Sequence, residues 1–411
     1  MKIGDFAKKW NVSIDTVRHY IKCGLLVPLS TSSQFSFNER EDRDMKIIMR
    51  MKAEQFSLKE IYNYLEICRV STMMEPESVQ DAISLLNRKK EELAQQIQTL
   101  EEVCRDISSD IDALSSGNQR FVDKTGVPLR ALPLLACPRC GASLELNGAS
   151  LNSQYVIKGT LSCSCGYRAG IENGIVKTGN EYSGNYDCPD LKRELYRQVS
   201  TEFGINIQKT IDLFHEAFKD LKPKNKVILE GHINGYFFLY NNLIRLDPDN
   251  IYIDIDKFPE ILEMYKSYID NLGLNYSILY IADSSYCWPL RGGCADILID
   301  FHGDMVNSFY YHNLYIHNIA RYLGNNIQVI GASLGYHNNA KSLLALSKRY
   351  PEGDLAGLYW DKQPQFYENE GYYYRRFLIG TMKTMEHKYA YSCHQDGEEL
   401  LMGFFRAWRR R

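Results

Sequence analysis

Ile3-Gly4-Asp5-Phe6-Ala7-Lys8-Lys9-Trp10-Asn11-Val12-Ser13-Ile14-Asp15-Thr16-Val17-Arg18-His19-Tyr20-Ile21-Lys22-Cys23-Gly24-Leu25-Leu26-Val27-Pro28 opens the chain as two short helical patterns. Ile3, Phe6, Ala7 and Trp10 share one face of the first, and Val17, Tyr20 and Ile21 one face of the second. The polar turn between them is just long enough for two helices to cross. Ser13 is placed to cap the second helix, Asp15 sits at its positive end, and Gly24 with Pro28 stops it. The pattern predicts a helix-turn-helix with Thr16, Arg18, His19, Tyr20 and Lys22 on the helix that would enter a DNA major groove. A two-helix corner in an enzyme would share these features.

The same stretch resembles the MerR family of bacterial regulators from residue 3 to Gly24-Leu25-Leu26-Val27-Pro28, which leads into that family's wing. Phe37-Asn38-Glu39 is similar to the family's Tyr-Ser-Glu, and Phe56-Ser57-Leu58-Lys59-Glu60-Ile61 to its Phe-Ser-Leu-Glu-Glu-Ile. Ser57 and Glu60 have the spacing of a capping box, each satisfying a free N–H at the helix start. The wing departs from the family, which usually places a phosphate-contacting arginine where Phe35 stands between Gln34 and Ser36.

Outward from this head, 411 residues allow two to four domains. A net charge of −3 excludes a generic polyanion binder. The first seventy residues hold 12 Lys and Arg against 9 Asp and Glu, a local net of +3 that suits a small DNA-binding module. No apolar run is long enough to span a bilayer and no basic-apolar-small leader opens the chain, so a cytoplasmic protein that does not engage the membrane is expected. Eleven cysteines, an odd number with four clustered and seven scattered, read as reduced thiols. The basic end, Arg406-Ala407-Trp408-Arg409-Arg410-Arg411, reads as a nucleic-acid contact or as a solvated tail.

After Pro76, Val79, Ile83, Leu86, Lys90, Leu93, Ile97, Leu100, Cys104, Ile107, Ile111 and Leu114 recur in steps of four and three. Such a period is a coiled-coil seam, on a helix of roughly 50 Å at about 1.5 Å per residue that cannot bury its stripe alone. Lys90 and Cys104 interrupt the seam. Behind a MerR-like head it resembles that family's antiparallel dimerisation helix, which implies a homodimer presenting two recognition helices to a palindromic promoter site in double-stranded DNA.

Cys137-Pro138-Arg139-Cys140-Gly141 and Cys163-Ser164-Cys165-Gly166 follow a Pro-marked connector. A Cys-x-x-Cys-Gly turn places two thiolates on one tetrahedral ion, and the second pair, one residue shorter than usual, favours structural zinc over a redox dithiol. With Ile171-Glu172-Asn173-Gly174-Ile175-Val176 behind it, the segment resembles the zinc ribbon that precedes several bacterial methyltransferase domains.

From about Asp190 the chain alternates helix and strand, which implies a mostly parallel sheet. Val227-Ile228-Leu229-Glu230-Gly231-His232-Ile233-Asn234-Gly235 reads as a strand entering a tight turn. Ile251-Tyr252-Ile253-Asp254-Ile255-Asp256 is the next strand, ending in acid where a ribose diol would be held. An NAD-binding domain would share that turn. Asp256-Lys257-Phe258-Pro259-Glu260-Ile261-Leu262-Glu263 is similar to the Asp-x-Ser-Pro-Glu-x-Leu-Glu of class I S-adenosylmethionine-dependent methyltransferases. Ala282-Asp283 and Ala295-Asp296-Ile297-Leu298-Ile299 are similar to their later motifs. The resemblance implies cofactor contacts from Glu230, Gly231, Gly235, Asp256 and Asp283, with His302 as a candidate general base or a structural histidine. Ile233 replaces the family's middle glycine in a turn one residue short, and is expected to crowd the cofactor.

The fold class expected is multidomain. Residues 1–75 form an all-α winged helix-turn-helix, 76–117 a long coiled-coil helix, 130–180 a small zinc ribbon, and 190–411 an α/β Rossmann-like methyltransferase domain. Three functions fit: a dimeric regulator whose methyltransferase-like domain binds S-adenosylmethionine and answers a small-molecule effector, an enzyme methylating a small acceptor, or a metal sensor acting through the cysteines.

Overall fold

Ser13 caps the second helix as its position implies, its hydroxyl accepting from the Thr16 N–H at 3.0 Å. This computed structural model describes the chain except residues 32–33, 72–74, 117–124, 194–199, 384–392 and 410–411. It falls into two units, Met1–Asn118 and Gln119–Arg411. Arg410, Arg411 and the Leu114 side chain lie outside the described residues.

In the first unit, helices α1 (Ile3–Lys9) and α2 (Ile14–Lys22) precede a wing of antiparallel strands β1 (Leu29–Thr31) and β2 (Gln34–Ser36), with Ser30 opposite Phe35. Helices α3 (Glu39–Ala53), α4 (Leu58–Val70) and α5 (Pro76–Ser116) follow. Capping boxes start two of these, Asn38 with Glu41 before α3 and Ser57 with Glu60 before α4. Gly24 turns the chain out of α2 at φ +71°, and a Cβ there would press on the Tyr62 ring at 2.9 Å. Phe6, Val17, Leu25, Phe37, Ile48 and Ile61 form the core, with the Phe6 and Phe37 rings stacked at 4.3 Å. Each such side chain contributes about 1.5–3 kcal/mol by leaving water.

One guanidinium ties this core to the helix-turn-helix. Arg69 on α4 donates to the carbonyls of Gly24 (2.8 Å) and Leu25 (2.6 Å) and to Asp44 on α3 (2.7 Å). Further along, α5 leaves α4 through Lys89, whose buried ammonium pairs with Glu60 at 3.1 Å and Glu92 at 2.7 Å. Beyond that point the apolar stripe of α5 stands in solvent, with Ile97 58%, Leu100 63% and Ile111 57% exposed.

The second unit is built on a twelve-stranded sheet. Its first strands are β3 (Val127–Pro128), β4 (Glu145–Leu151), β5 (Tyr155–Ser162), β6 (Arg168–Glu172) and β7 (Ile175–Lys177). After α6 (Thr201–Leu221) come β8 (Val227–Gly231), α7 (Phe238–Asn242), β9 (Ile251–Asp256), α8 (Pro259–Leu272), β10 (Ser277–Ala282) and β11 (Ala295–Phe301). Helices α9 (Gly303–Tyr310) and α10 (Tyr315–Asn318) lead to β12 (Leu323–Gly335). Helices α11 (Lys341–Arg349) and α12 (Gln363–Asn369) precede β13 (Tyr372–Met382) and β14 (Leu400–Arg409).

The order across the sheet is β13-β14-β12-β11-β8-β9-β10-β7-β6-β5-β3, with β4 also on β5. Counting β8 as first, the α/β part runs 3-2-1-4-5-7-6, parallel except for its seventh strand, β14, which is antiparallel to both neighbours. That is a Rossmann-like methyltransferase fold. The strands around the cysteine turns are not a separate bead: β7 lies parallel against β10, Ile175 opposite Tyr280, and extends the sheet. Apolar cores cover both faces, one holding Phe214, Phe238 and Leu262 from α6, α7 and α8, the other Trp288, Tyr322 and Tyr367. Ordering reverses at β8, whose neighbours are β9 and β11, so a crevice opens at their carboxyl ends.

Arg69→Ala strands the Asp44 carboxylate and two turn carbonyls and should cost about 2–4 kcal/mol in the first unit. A lowered urea midpoint for loss of the head's helical signal checks this, with Arg69→Lys recovering only part of it.

Candidate functional site

On α2, Arg18, His19 and Lys22 are exposed and Thr16 half-buried, on the side away from Val17 and the head core. Arg18 pairs with Asp15 at 3.2 Å, an exposed contact that competes weakly with a phosphate or guanine. Tyr20 differs from the other four. Its ring is 2% exposed in the head core, and its hydroxyl accepts from the Lys52 ammonium at 3.1 Å, so the ring packs the helix against α3. The wing carries an exposed Phe35.

The four clustered cysteines meet. Cys137 and Cys140 lie on the loop after β3, and Cys163 and Cys165 on the turn between β5 and β6; the four sulfurs are all within 4.8 Å of one another. Cys137 Sγ is 3.4 Å from Cys165 Sγ, and Cys140 Sγ 3.5 Å from Cys163 Sγ. A zinc ion with Zn–S bonds of about 2.3 Å sets neighbouring sulfurs about 3.8 Å apart, so the set fits a closed tetrahedral site. Burial pushes the Cys137 thiol up, but the N–H groups of Cys140 and Arg139 outweigh it and bring the thiol down to about 7. Four thiolates leave no open position on the metal, which would supply structure and no chemistry.

At the carboxyl ends of the strands, the acids expected to hold a cofactor are present and already engaged. Glu230 accepts from the N–H of Phe238 (2.6 Å) and Leu239 (2.9 Å), which caps α7; burial pushes its carboxyl up to about 8 against those bonds. Asp256 accepts from the N–H of Asn234 (2.8 Å) and Phe258 (2.9 Å), and burial lifts it to about 6. Asp283 accepts from the Thr178 hydroxyl (2.6 Å), the Asn180 amide (2.8 Å) and the Ser285 N–H (2.7 Å).

Between them the crevice shrinks to ≈ 10 Å³, lined by Gly231, His232, Asp256, Lys257, Tyr286 and Tyr315 among others. That is room for a single water at most, where a ligand of nucleoside size needs about 300 Å³ or more. The buried Tyr315 hydroxyl lies where a Cβ on Gly231 would fall. His232, at φ 58°, bonds through Nε2 to the Tyr286 hydroxyl at 2.8 Å, and that hydroxyl donates to Asn307 at 2.6 Å. Gly231, Asp256 and Asp283 do line the crevice, but with His232, Lys257 and Tyr315 in these positions it has no room for S-adenosylmethionine. Gly235 packs against Val306 and does not line the cavity.

Ile233, expected to crowd the cofactor, instead points into the apolar core beneath the turn. His302 heads α9 at φ 66° with its ring buried against Phe301, 4.9 Å between centroids, and it is not among the cavity-lining residues. Burial lowers it to about 4, so the imidazole is neutral. Sequence reasoning missed Lys257, Tyr286, Tyr311 and Tyr315. The signal for the three tyrosines was aromatic density after the third and fourth strands of the α/β part, whereas Lys257 lay inside the Asp256–Glu263 motif, next to Asp256.

Substituting Cys140 by serine should lower bound zinc from one equivalent to well under one and loosen β4–β6, leaving the first unit's unfolding unchanged. Metal analysis with amide exchange reads both.

Residues 1–67 match the family described as MerR HTH family regulatory protein. No curated protein matches the chain. Among solved structures, a putative MerR family transcriptional regulator from Listeria monocytogenes is 22% identical over 28% of this chain and 86% of its own, with a TM-score of 0.23. A MerR family regulator lacking the sensor domain, bound to promoter DNA, is 19% identical over 28% of this chain and 90% of its own, at 0.22. A putative methyltransferase from Bacillus halodurans C-125 is 11% identical over 48% of this chain and 99% of its own, at 0.33. By the family match of its first 67 residues and the strand order of its second unit, the chain joins a MerR-type DNA-binding domain to a methyltransferase-like α/β domain.

Proposed function

We propose that the protein is a homodimeric transcription regulator that binds a two-fold symmetric promoter site and works in the cytoplasm, with the methyltransferase-like unit in the place of an effector domain. The observation that carries this reading is the winged helix-turn-helix of residues 1–67, whose α2 turns Arg18, His19 and Lys22 outward. The dimer is supported by α5: its stripe leaves Ile97, Leu100, Ile107 and Ile111 more than half exposed, which costs free energy in a lone chain. In the first half of α5, Leu86, Leu93 and Ile97 line an apolar groove of ≈ 400 Å³ with Phe56, flanked by Lys89 and Lys90 and open to a second α5. Among the described residues no helix is long and apolar enough to cross a membrane.

In this reading two heads read two half-sites, and a ligand acts by favouring one of two dimer shapes. A structural zinc held by Cys137, Cys140, Cys163 and Cys165 supports the second unit. The unit then works by what it binds and how it moves.

The test is footprinting of the gene's own promoter region by the full chain, together with light scattering. The reading expects a dimer and paired protection related by a two-fold axis. Arg18→Ala should weaken binding by about 1–3 kcal/mol, roughly five- to a hundredfold. Leu100→Asp should give monomers that lose promoter affinity while the heads stay folded. A wild-type monomer, or protection without symmetry, overturns the proposal.

A further inference from the structure

The crevice at the switch point is closed by more than one side chain, and the closing groups belong together. Lys257, directly after Asp256, folds its ammonium inward with its side chain only 3% exposed. It lies 3.8 Å from the centroid of the Tyr182 ring and 3.5 Å from that of Tyr310, with Phe258 and Tyr311 beyond. Asp187 pairs with it at 2.7 Å. An ammonium held between aromatic faces and one carboxylate is the arrangement a protein builds for a cationic ligand; here the cation is the protein's own.

The segment that brings Tyr182 and Asp187 to this cage also crosses the glycine turn. Tyr182 is anchored by its hydroxyl to Glu352 at 2.5 Å. Asn234 of the turn donates its side-chain amide to the Cys188 carbonyl at 3.0 Å and accepts from the Asp190 N–H at 2.9 Å. Arg193 donates to the Asn234 carbonyl at 3.0 Å. Residues 188–193 therefore hold the Asn234 side chain and the Asn234 carbonyl from outside, while Tyr315 and the His232–Tyr286–Asn307 chain fill the space beneath.

We propose that this crevice is sealed by an internal pseudo-ligand, the Lys257 ammonium in its aromatic cage, and that the methyltransferase-like unit does not take S-adenosylmethionine. Opening the site would require breaking the Lys257–Asp187 pair, moving Tyr315 off Gly231 and lifting residues 187–193 together. Each of these movements breaks contacts the chain already makes, and Asp256 keeps one donor on each oxygen throughout.

Two measurements on the full-length chain test this. Titration calorimetry with S-adenosylmethionine, and separately with S-adenosylhomocysteine, should give no saturable heat up to about 1 mM, whereas a functional cofactor site binds far more tightly than that. Brief acylation with a small amine-reactive reagent, read by mass spectrometry, should modify the exposed Lys224 and Lys383 and leave Lys257 untouched, with or without the nucleoside. Saturable binding in the micromolar range, or Lys257 becoming reactive when S-adenosylmethionine is added, overturns the proposal. Promoter binding through the first unit stands or falls separately from either outcome.

Discussion

The register in which Ile175–Lys177 lies against Tyr280–Ala282 is the joint on which the second unit depends. Three residues of parallel pairing are a short contact, but they are followed by side-chain bonds that fix it. Thr178 and Asn180, the first residues past the pairing, both reach Asp283 at the end of the neighbouring strand. Bridges between Leu135 and Leu290 and from Ala136 N–H to the Pro289 carbonyl close the same seam beside Cys137. The Asp283 carboxylate, which lines the crevice, also holds two parts of the sheet together.

That constraint bears on how the crevice is organised. Asp283, Asp256 and Glu230 stand where a nucleoside-binding α/β domain keeps its acceptors, yet each is satisfied by its own chain. Burial alone would push such carboxyls toward the neutral form; the backbone N–H groups on Glu230 and Asp256 oppose it. The acids also do structural work: Glu230 starts α7 and Asp256 ties the glycine turn to the start of α8. Position in a motif and availability to a ligand are different properties.

Local features were legible in the sequence. The helix-turn-helix, the Ser57–Glu60 box, the α5 stripe and the four cysteines are written in spacings of two to seven residues, and the geometry of a turn or a helix carries such spacings directly into space. The pairing partners that complete each site were not. Arg69 reaches Gly24 across 45 positions, and Lys89 meets Glu60 although Lys90 is the seam residue. Tyr315 lands on Gly231 from the far side of the fourth α/β strand. Ile233 drew attention as the crowded glycine, but a one-residue change of direction in the turn sends it into the core and leaves the crowding to residues eighty positions away. His302 sits at a strand end where bases are found, and its left-handed backbone carries the ring against Phe301 instead.

Because strands β4–β6, which flank the cysteine turns, continue the sheet through β7, the cysteine cluster and the parallel core share one ladder of backbone hydrogen bonds. The segment cannot be exchanged for another ribbon as a bead on a string would be: a replacement has to end in a strand of the same direction and length, followed by donors in the places of Thr178 and Asn180. Folding of this region is thereby tied to that of the α/β domain through the β7–β10 pairing.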